Sequence, residues 1–161
     1  MAGQHDSETP AEGQQVFTAC AFIWHEFDGV KKVFLAKRAD TKKFLPGVWE
    51  LPGGHVDYGE ELKDGLAREV IEELGMRVDI GEVVDVFTYL NKLKKSHSIE
   101  VIYFARFTDS LENIRSNPED HSGFGWFALD DLKQLFSRQK TVDDPEHLAI
   151  RKGFMKLEAG R

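Results

Sequence analysis

The chain has 161 residues, 41% of them hydrophobic, which fits one globular domain with its own core, and no internal repeat or linker marks a second one. A net charge of −7 excludes a generic nucleic-acid surface, which would be basic, but not an anionic substrate met through a bound metal. The single cysteine, Cys20, excludes a disulfide framework within the chain, and the absence of an apolar signal-like or membrane-spanning run makes a cytoplasmic protein the expectation.

Residues 1–15 are polar, rich in Gly, Glu and Gln, and without periodicity, which predicts a disordered tail ahead of a single domain over 16–161. Val16 to Phe27 is rich in β-branched, aromatic and small apolar residues and predicts a strand, with Cys20 as a small apolar member. Asp28-Gly29 is a turn signal, and Val33 to Ala36 makes the return strand. A loop from Asp40 to Gly47 leads to a short strand, Trp49-Glu50-Leu51, in which Trp49 reads as a core residue. Pro52-Gly53-Gly54 then lets the backbone turn sharply and approach a ligand closely.

A helix follows, stopped at Gly75. Strands over Met76 to Ile80 and Val83 to Leu90, or one bent strand broken at Gly81, come next. A basic turn from Lys92 to His97 precedes a partner strand over Ser98 to Phe107. Asp109 to Pro118 reads as a mobile loop, Phe124 to Leu129 as a last strand, Asp130 to Phe136 as a helix and Pro145 to Leu157 as a terminal helix. Mixed helices and strands give an α/β class, and the turn-rich pairing points to hairpins rather than pure βαβ crossovers.

The central helix carries the chemistry. At roughly 100° per residue, Glu69, Glu72 and Glu73 share one face, while Leu66, Val70, Ile71 and Leu74 lie on another that can be buried. Like charges at i,i+4 repel, as Glu69 and Glu73 do, and Arg68 offsets this only in part through Asp64 and Glu72. Clustered carboxylate oxygens with a charge deficit suit a hard divalent cation. A solvated acidic helix face is the plainer explanation of any Glu-rich turn taken alone.

The spacing of the whole stretch decides between them. Gly54, Glu60, Arg68, Glu69, Val70, Glu72, Glu73, Gly75 and Met76 match the signature of the Nudix hydrolases without departure. At about 7% usage per fixed position, a chance match at a given start is on the order of one in 10⁸. Leu51-Pro52-Gly53-Gly54 upstream also looks like the family.

The resemblance implies an α/β/α sandwich with a mixed β-sheet. It also implies Mg²⁺-dependent hydrolysis, with Mn²⁺ as the alternative ion, of the diphosphate in a nucleoside diphosphate linked to another group. Glu69, Glu72 and Glu73 would be the catalytic carboxylates and, with a Gly53 carbonyl, the metal ligands. Arg68 and Glu60 would support them. Arg38 would contact a phosphate, and either Glu119 or Asp120 would add an acid from the following loop. His121 reads as an incidental loop histidine, and no pair of histidines has metal-ligand spacing.

Within the family, the compact chain looks most like enzymes acting on nucleoside triphosphates or modified nucleotides. Nucleotide sugars such as ADP-ribose and dinucleoside polyphosphates are the alternatives. No proline lies between Met76 and Asn117 to mark an ADP-ribose enzyme, and Tyr89 lies nearer the signature than the tyrosine of dinucleoside polyphosphate enzymes. A non-catalytic nucleotide-sensing module would be expected to lose a signature carboxylate, and a prenyl diphosphate isomerase to need a catalytic cysteine in another context. The partner implied is a small nucleotide-type molecule, with no stable nucleic-acid or membrane binding. Homodimers are common in the family, and nothing in this chain decides that state.

Overall fold

The computed structural model describes residues 11–160. Its organising strand is β1 (Gln15–Phe27), whose two halves take different partners. The second half forms an antiparallel hairpin with β2 (Val30–Arg38), Trp24 facing Val33 and Phe27 facing Val30. Asp28 and Gly29 both adopt positive φ, 49° and 82°, the backbone twist that a two-residue hairpin loop favours. The first half runs parallel to β6 (Ser96–Phe107) in a continuous register from Gln15–His97 to Ile23–Ala105.

The remaining strands fill the sheet around this pair. β3 (Trp49–Glu50) and β7 (His121–Phe127) pair antiparallel with β2, and β4 (Gly53–His55) pairs antiparallel with β1. β5 (Val78–Asn91) pairs antiparallel with β6, giving a mixed seven-stranded sheet among the described residues.

Side-chain alternation in β1 feeds a separate core on each face of the sheet. Ala19, Ala21 and Ile23 cluster with Leu66, Val70 and Leu74 of α1 (Leu62–Leu74). Cys20 and Phe22 cluster with Ala149, Ile150 and Phe154 of α2 (Pro145–Ala159). Phe22 meets Phe154 edge to face at 5.2 Å between ring centroids. The result is a mixed sheet between helices, the α/β sandwich that the resemblance implies.

Most expected elements occur. Val78–Asn91 is a single strand whose register shifts between Ile80 and Asp85, so the break at Gly81 is a bend inside one strand. Trp49 is half-buried and packs edge-on against Phe127 at 5.1 Å.

Four details differ from the sequence reading. The last strand begins at His121, three residues early, because it pairs with β2 as far as Arg38. The expected helix over 130–136 is a 3-10 helix, Leu129–Leu135. Ile71 is exposed, because the buried arc of α1 centres on Leu66, Val70, Glu73 and Leu74. The stretch expected as a mobile loop includes a 3-10 turn, Leu111–Asn113. It is also fastened to α1, where the Arg115 and Asn117 amides donate to the Leu74 and Glu73 carbonyls, both at 3.0 Å. These bonds satisfy carbonyls at the end of the helix that have no partner within it.

The expected tail over 1–15 lies outside the described residues up to position 10. Of its last residues, Ala11 and Gly13 donate backbone hydrogen bonds to the Lys94 and Lys95 carbonyls, and Gln15 already belongs to β1.

Candidate active site

The site forms where the Pro-Gly-Gly turn passes between β1 and α1. The Pro52 carbonyl accepts a hydrogen bond from the Ala21 amide at 2.9 Å, which draws the turn onto the sheet. Gly53 has φ of 143°, and a Cβ there would lie 2.2 Å from the Ala19 carbonyl oxygen. A Cβ on Gly54 would lie 2.7 Å from the Glu69 carboxylate. Gly53 therefore requires glycine for its backbone conformation and its close contact with β1, whereas a side chain on Gly54 would displace the Glu69 carboxylate.

Arg68 gathers the acids around this turn. Its Nε donates to Glu60 Oε2 at 2.8 Å, and its terminal nitrogens reach Glu60 Oε1, the His55 carbonyl, Glu69 Oε1 and Glu72 Oε2 at 3.0–3.2 Å. Asp57 stands 3.6 Å away. Asp64, expected as an ion-pair partner of Arg68, makes no such pair in this arrangement. The Glu60 carboxyl is held below its usual range, chiefly by the hydrogen bond from Arg68.

Glu69 and Glu73 titrate in the opposite direction. Burial pushes Glu69 up to about 7, with the Arg68 charge opposing it. Glu73 is 9% exposed and is raised well above the carboxylate range by burial, then by the charges of Glu50 and Glu69. The Gly53 amide donates to Glu73 Oε2 at 3.3 Å. Glu72 is exposed and joins the group only through Arg68. The three signature glutamates thus occupy three environments: dry, half-buried and solvated.

Glu69 and Glu73 line a cleft of about 180 Å³ that is open to solvent, together with Gly53, Gly54 and His55. Arg38 lies on its wall, where Nε donates to the Phe44 carbonyl at 2.8 Å and a terminal nitrogen meets both oxygens of Glu50 at 3.4 Å. Lys42 pairs with Asp120 at 3.0 Å, and both line the cleft. Glu119 is exposed and lies outside that lining. The structure therefore brings Asp120, and not Glu119, to the cleft with Glu69 and Glu73.

Three features of the cleft escaped the sequence reading. His121 opens β7 and is 3% exposed, its Nε2 lying 2.9 Å from Glu50 Oε2, so it is no loop residue. Glu50 itself was read only as part of a short strand. On the opposite wall, Glu100, Glu146 and Tyr89 join Cys20 and Thr18. Glu100 had a readable signal, since it shares the inward phase of β6 with Ser96, Ser98 and Ile102. Glu50 and Glu146 had none, because their burial depends on segments far apart in the chain.

The donor set fits a hard divalent cation. Glu69 and Glu73 are crowded carboxylates whose burial and neighbouring acids (Glu72 beside Glu69, Glu50 and Glu69 beside Glu73) favour protonation, and bound Mg²⁺, which prefers oxygen ligands, would relieve both.

A glycine turn and an acidic helix on a mixed sheet are the parts that the resemblance to the Nudix hydrolases implies. A family model described as the NUDIX domain matches residues 16–149, and the chain belongs to that family of hydrolases. Nucleoside triphosphatase NudI of Escherichia fergusonii is 32% identical over 108 residues, covering 62% of this chain and 75% of that protein. The m7GpppN-mRNA hydrolase NUDT17 of Homo sapiens is 46% identical over 129 residues, covering 71% of this chain but only 39% of that longer protein. Among solved structures, the MutT NUDIX hydrolase from Burkholderia pseudomallei superposes with a TM-score of 0.66 at 29% identity, covering 86% of this chain and 98% of that one. A C. elegans Ap4A hydrolase superposes with a TM-score of 0.71 at 20% identity over 91% of this chain and 99% of that one, an agreement of fold. Among the described residues no helix is long and apolar enough to cross a membrane.

Proposed function

We propose that the chain is a single-domain enzyme that hydrolyses the diphosphate linkage of a small nucleotide in a Mg²⁺-dependent reaction. Nucleoside triphosphates and modified nucleotides are the first substrate class. The observation that carries the proposal is the complete signature from Gly54 to Met76, whose helix sets buried Glu73 and half-buried Glu69 at the rim of a cleft. Glu69, Glu72 and Glu73, with the Gly53 carbonyl, would hold Mg²⁺ or Mn²⁺. Such an ion, when bound, neutralises charge on the phosphates and acidifies a coordinated water.

The chain's own residues supply the rest. Arg68, held by both oxygens of Glu60, orients Glu69 through the bond from its terminal nitrogen to Glu69 Oε1. One of the signature glutamates, or Asp120 on the cleft wall, would take the proton of the attacking water. Arg38 and Lys42 offer their positive charge to the phosphates, each exchanging part of its present carboxylate pairing for the substrate.

A second substrate reading has its own support. The similarity to NUDT17 favours nucleotides joined through a triphosphate bridge, of the m7GpppN kind. One experiment ranks both: release of phosphate or nucleoside monophosphate, in Mg²⁺, from a panel of nucleoside triphosphates, oxidised nucleotides, ADP-ribose, dinucleoside polyphosphates and m7GpppN. Turnover of one class at least tenfold above the others names the substrate. An intact panel, with the protein folded and the metal bound, would refute the hydrolase reading.

A further inference from the structure

We propose that the inner wall of the cleft is a second cation site, for a thiophilic divalent ion of the Zn²⁺ type, built from Cys20 of β1, Glu100 of β6 and Glu146 of α2. One ligand atom from each, the Cys20 sulfur and an oxygen of either glutamate, lies within 4.8 Å of the other two. A tetrahedral Zn²⁺ with bonds of about 2.0–2.3 Å sets its ligands about 3.6 Å apart, so a contraction of roughly 1 Å closes the shell. None of the three residues belongs to the signature helix.

A second observation points to a missing partner. Glu100 is 6% exposed, and its Oε1 takes a hydrogen bond from the Thr18 hydroxyl at 3.3 Å. Its Oε2 is shut off from solvent and has no hydrogen-bond partner among the described residues. A buried carboxylate oxygen without a partner is costly, and such groups call for a donor, a proton or a cation. Glu146 is partly exposed, and Lys140 at 2.5 Å and the Leu51 amide at 3.2 Å both bond to its Oε1.

Charge balance favours a divalent ion. Once deprotonated by the ion, two carboxylates and a thiolate beside the Lys140 ammonium would carry an excess of two negative charges, which one M²⁺ cancels. The donor chemistry selects the metal class: a thiolate with two carboxylates suits Zn²⁺ or Co²⁺ and is a poor match for Mg²⁺. Three protein ligands leave a fourth position, and all three residues line the open cleft, which gives the ion an entry path and that position to a water or a substrate group.

The test uses the full chain with Mg²⁺ in large excess, titrated with Co²⁺ as a spectroscopic stand-in for Zn²⁺. A near-ultraviolet thiolate-to-cobalt charge-transfer band that saturates at one ion per chain is expected, and it reports on Cys20 because the chain has no other cysteine. Zn²⁺ should bleach it. Cys20→Ser should abolish the band, and Glu100→Gln or Glu146→Gln should weaken Co²⁺ binding by about tenfold or more. Far-ultraviolet circular dichroism identifies any variant that fails to fold, and the wild-type band stands independently of the variants. No band in the wild-type protein, or a band whose affinity neither glutamine variant alters, would overturn the proposal. The result does not depend on which nucleotide is cleaved.

Discussion

The two walls of the cleft use the same residue type in opposite ways. On the α1 side, Glu69 lines the cleft and shares one half-exposed guanidinium with Glu60 and Glu72, which lie outside the lining. On the facing wall, Glu100 and Lys140 are buried beside a Glu146 side chain that is 16% exposed, and the Lys140 Nζ also donates to the Trp49 carbonyl at 2.6 Å. Arg68 serves four carboxylates because its planar fork presents donors in several directions. Lys140 is a single point charge already committed to one carboxylate and one carbonyl. A carboxylate's role is thus decided by what neutralises it, and the two walls should respond differently to mutation.

The largest expected effect is on the first wall. Glu73→Gln should lower kcat by about three orders of magnitude, about 4 kcal/mol of transition-state stabilisation. The thermal midpoint should stay level or rise, since a neutral amide replaces an acid that burial disfavours in its charged form. Steady-state kinetics in Mg²⁺ and a thermal melt check both halves; an unaltered kcat would remove Glu73 from the machinery.

The facing wall should show the reverse signature, stability before rate. Lys140→Met strands the largely buried Glu146 charge and should cost about 3–5 kcal/mol of folding free energy. The double variant Lys140→Met, Glu146→Leu should recover most of that loss, because no unpaired charge remains. Urea unfolding of the two variants tests this, and a double variant no more stable than the single one would show that the pair is not the source.

Arg68→Gln comes third. It breaks the bonds that orient Glu69 and Glu60 without removing an acid, so metal affinity and kcat should fall by about 10–100-fold. Isothermal titration with Mg²⁺ separates the affinity part from the rate.

The smallest effect is the pH dependence of the metal-free protein. Because the folded-state value of Glu69 is raised from 4.5 to about 7, its contribution to stability is complete below about pH 4.5 and is lost as the pH rises through 7. Mg²⁺ competes with that proton, so the rise in melting temperature on adding Mg²⁺ should grow between about pH 6 and pH 8. A constant increment across that range would place Glu69 outside the metal's reach.

Local features of the chain were legible because they are set by near neighbours. The hairpin at Asp28-Gly29, the helix stop at Gly75, the bend at Gly81 and the terminal helix after Pro145 each follow from backbone preferences within a few residues. The grouping of Glu69, Glu72 and Glu73 follows in the same way, since helical spacing needs no tertiary information. The 3-10 form of 129–135 was not legible, because the choice between two helical hydrogen-bond patterns over seven residues is marginal.

By itself, then, the amino-acid order determined the α/β class, the signature helix and the three acids on it. Only the tertiary structure decided which of those acids is dry, that Asp120 rather than Glu119 reaches the cleft, and that Cys20, Glu50, Glu100, His121 and Glu146 line it together. The physical reason is separation along the chain. Position on a helix is fixed by residues three or four apart, whereas burial and charge pairing depend on strands and helices up to 126 positions away, as between Cys20 and Glu146. No periodicity within either segment encodes that meeting.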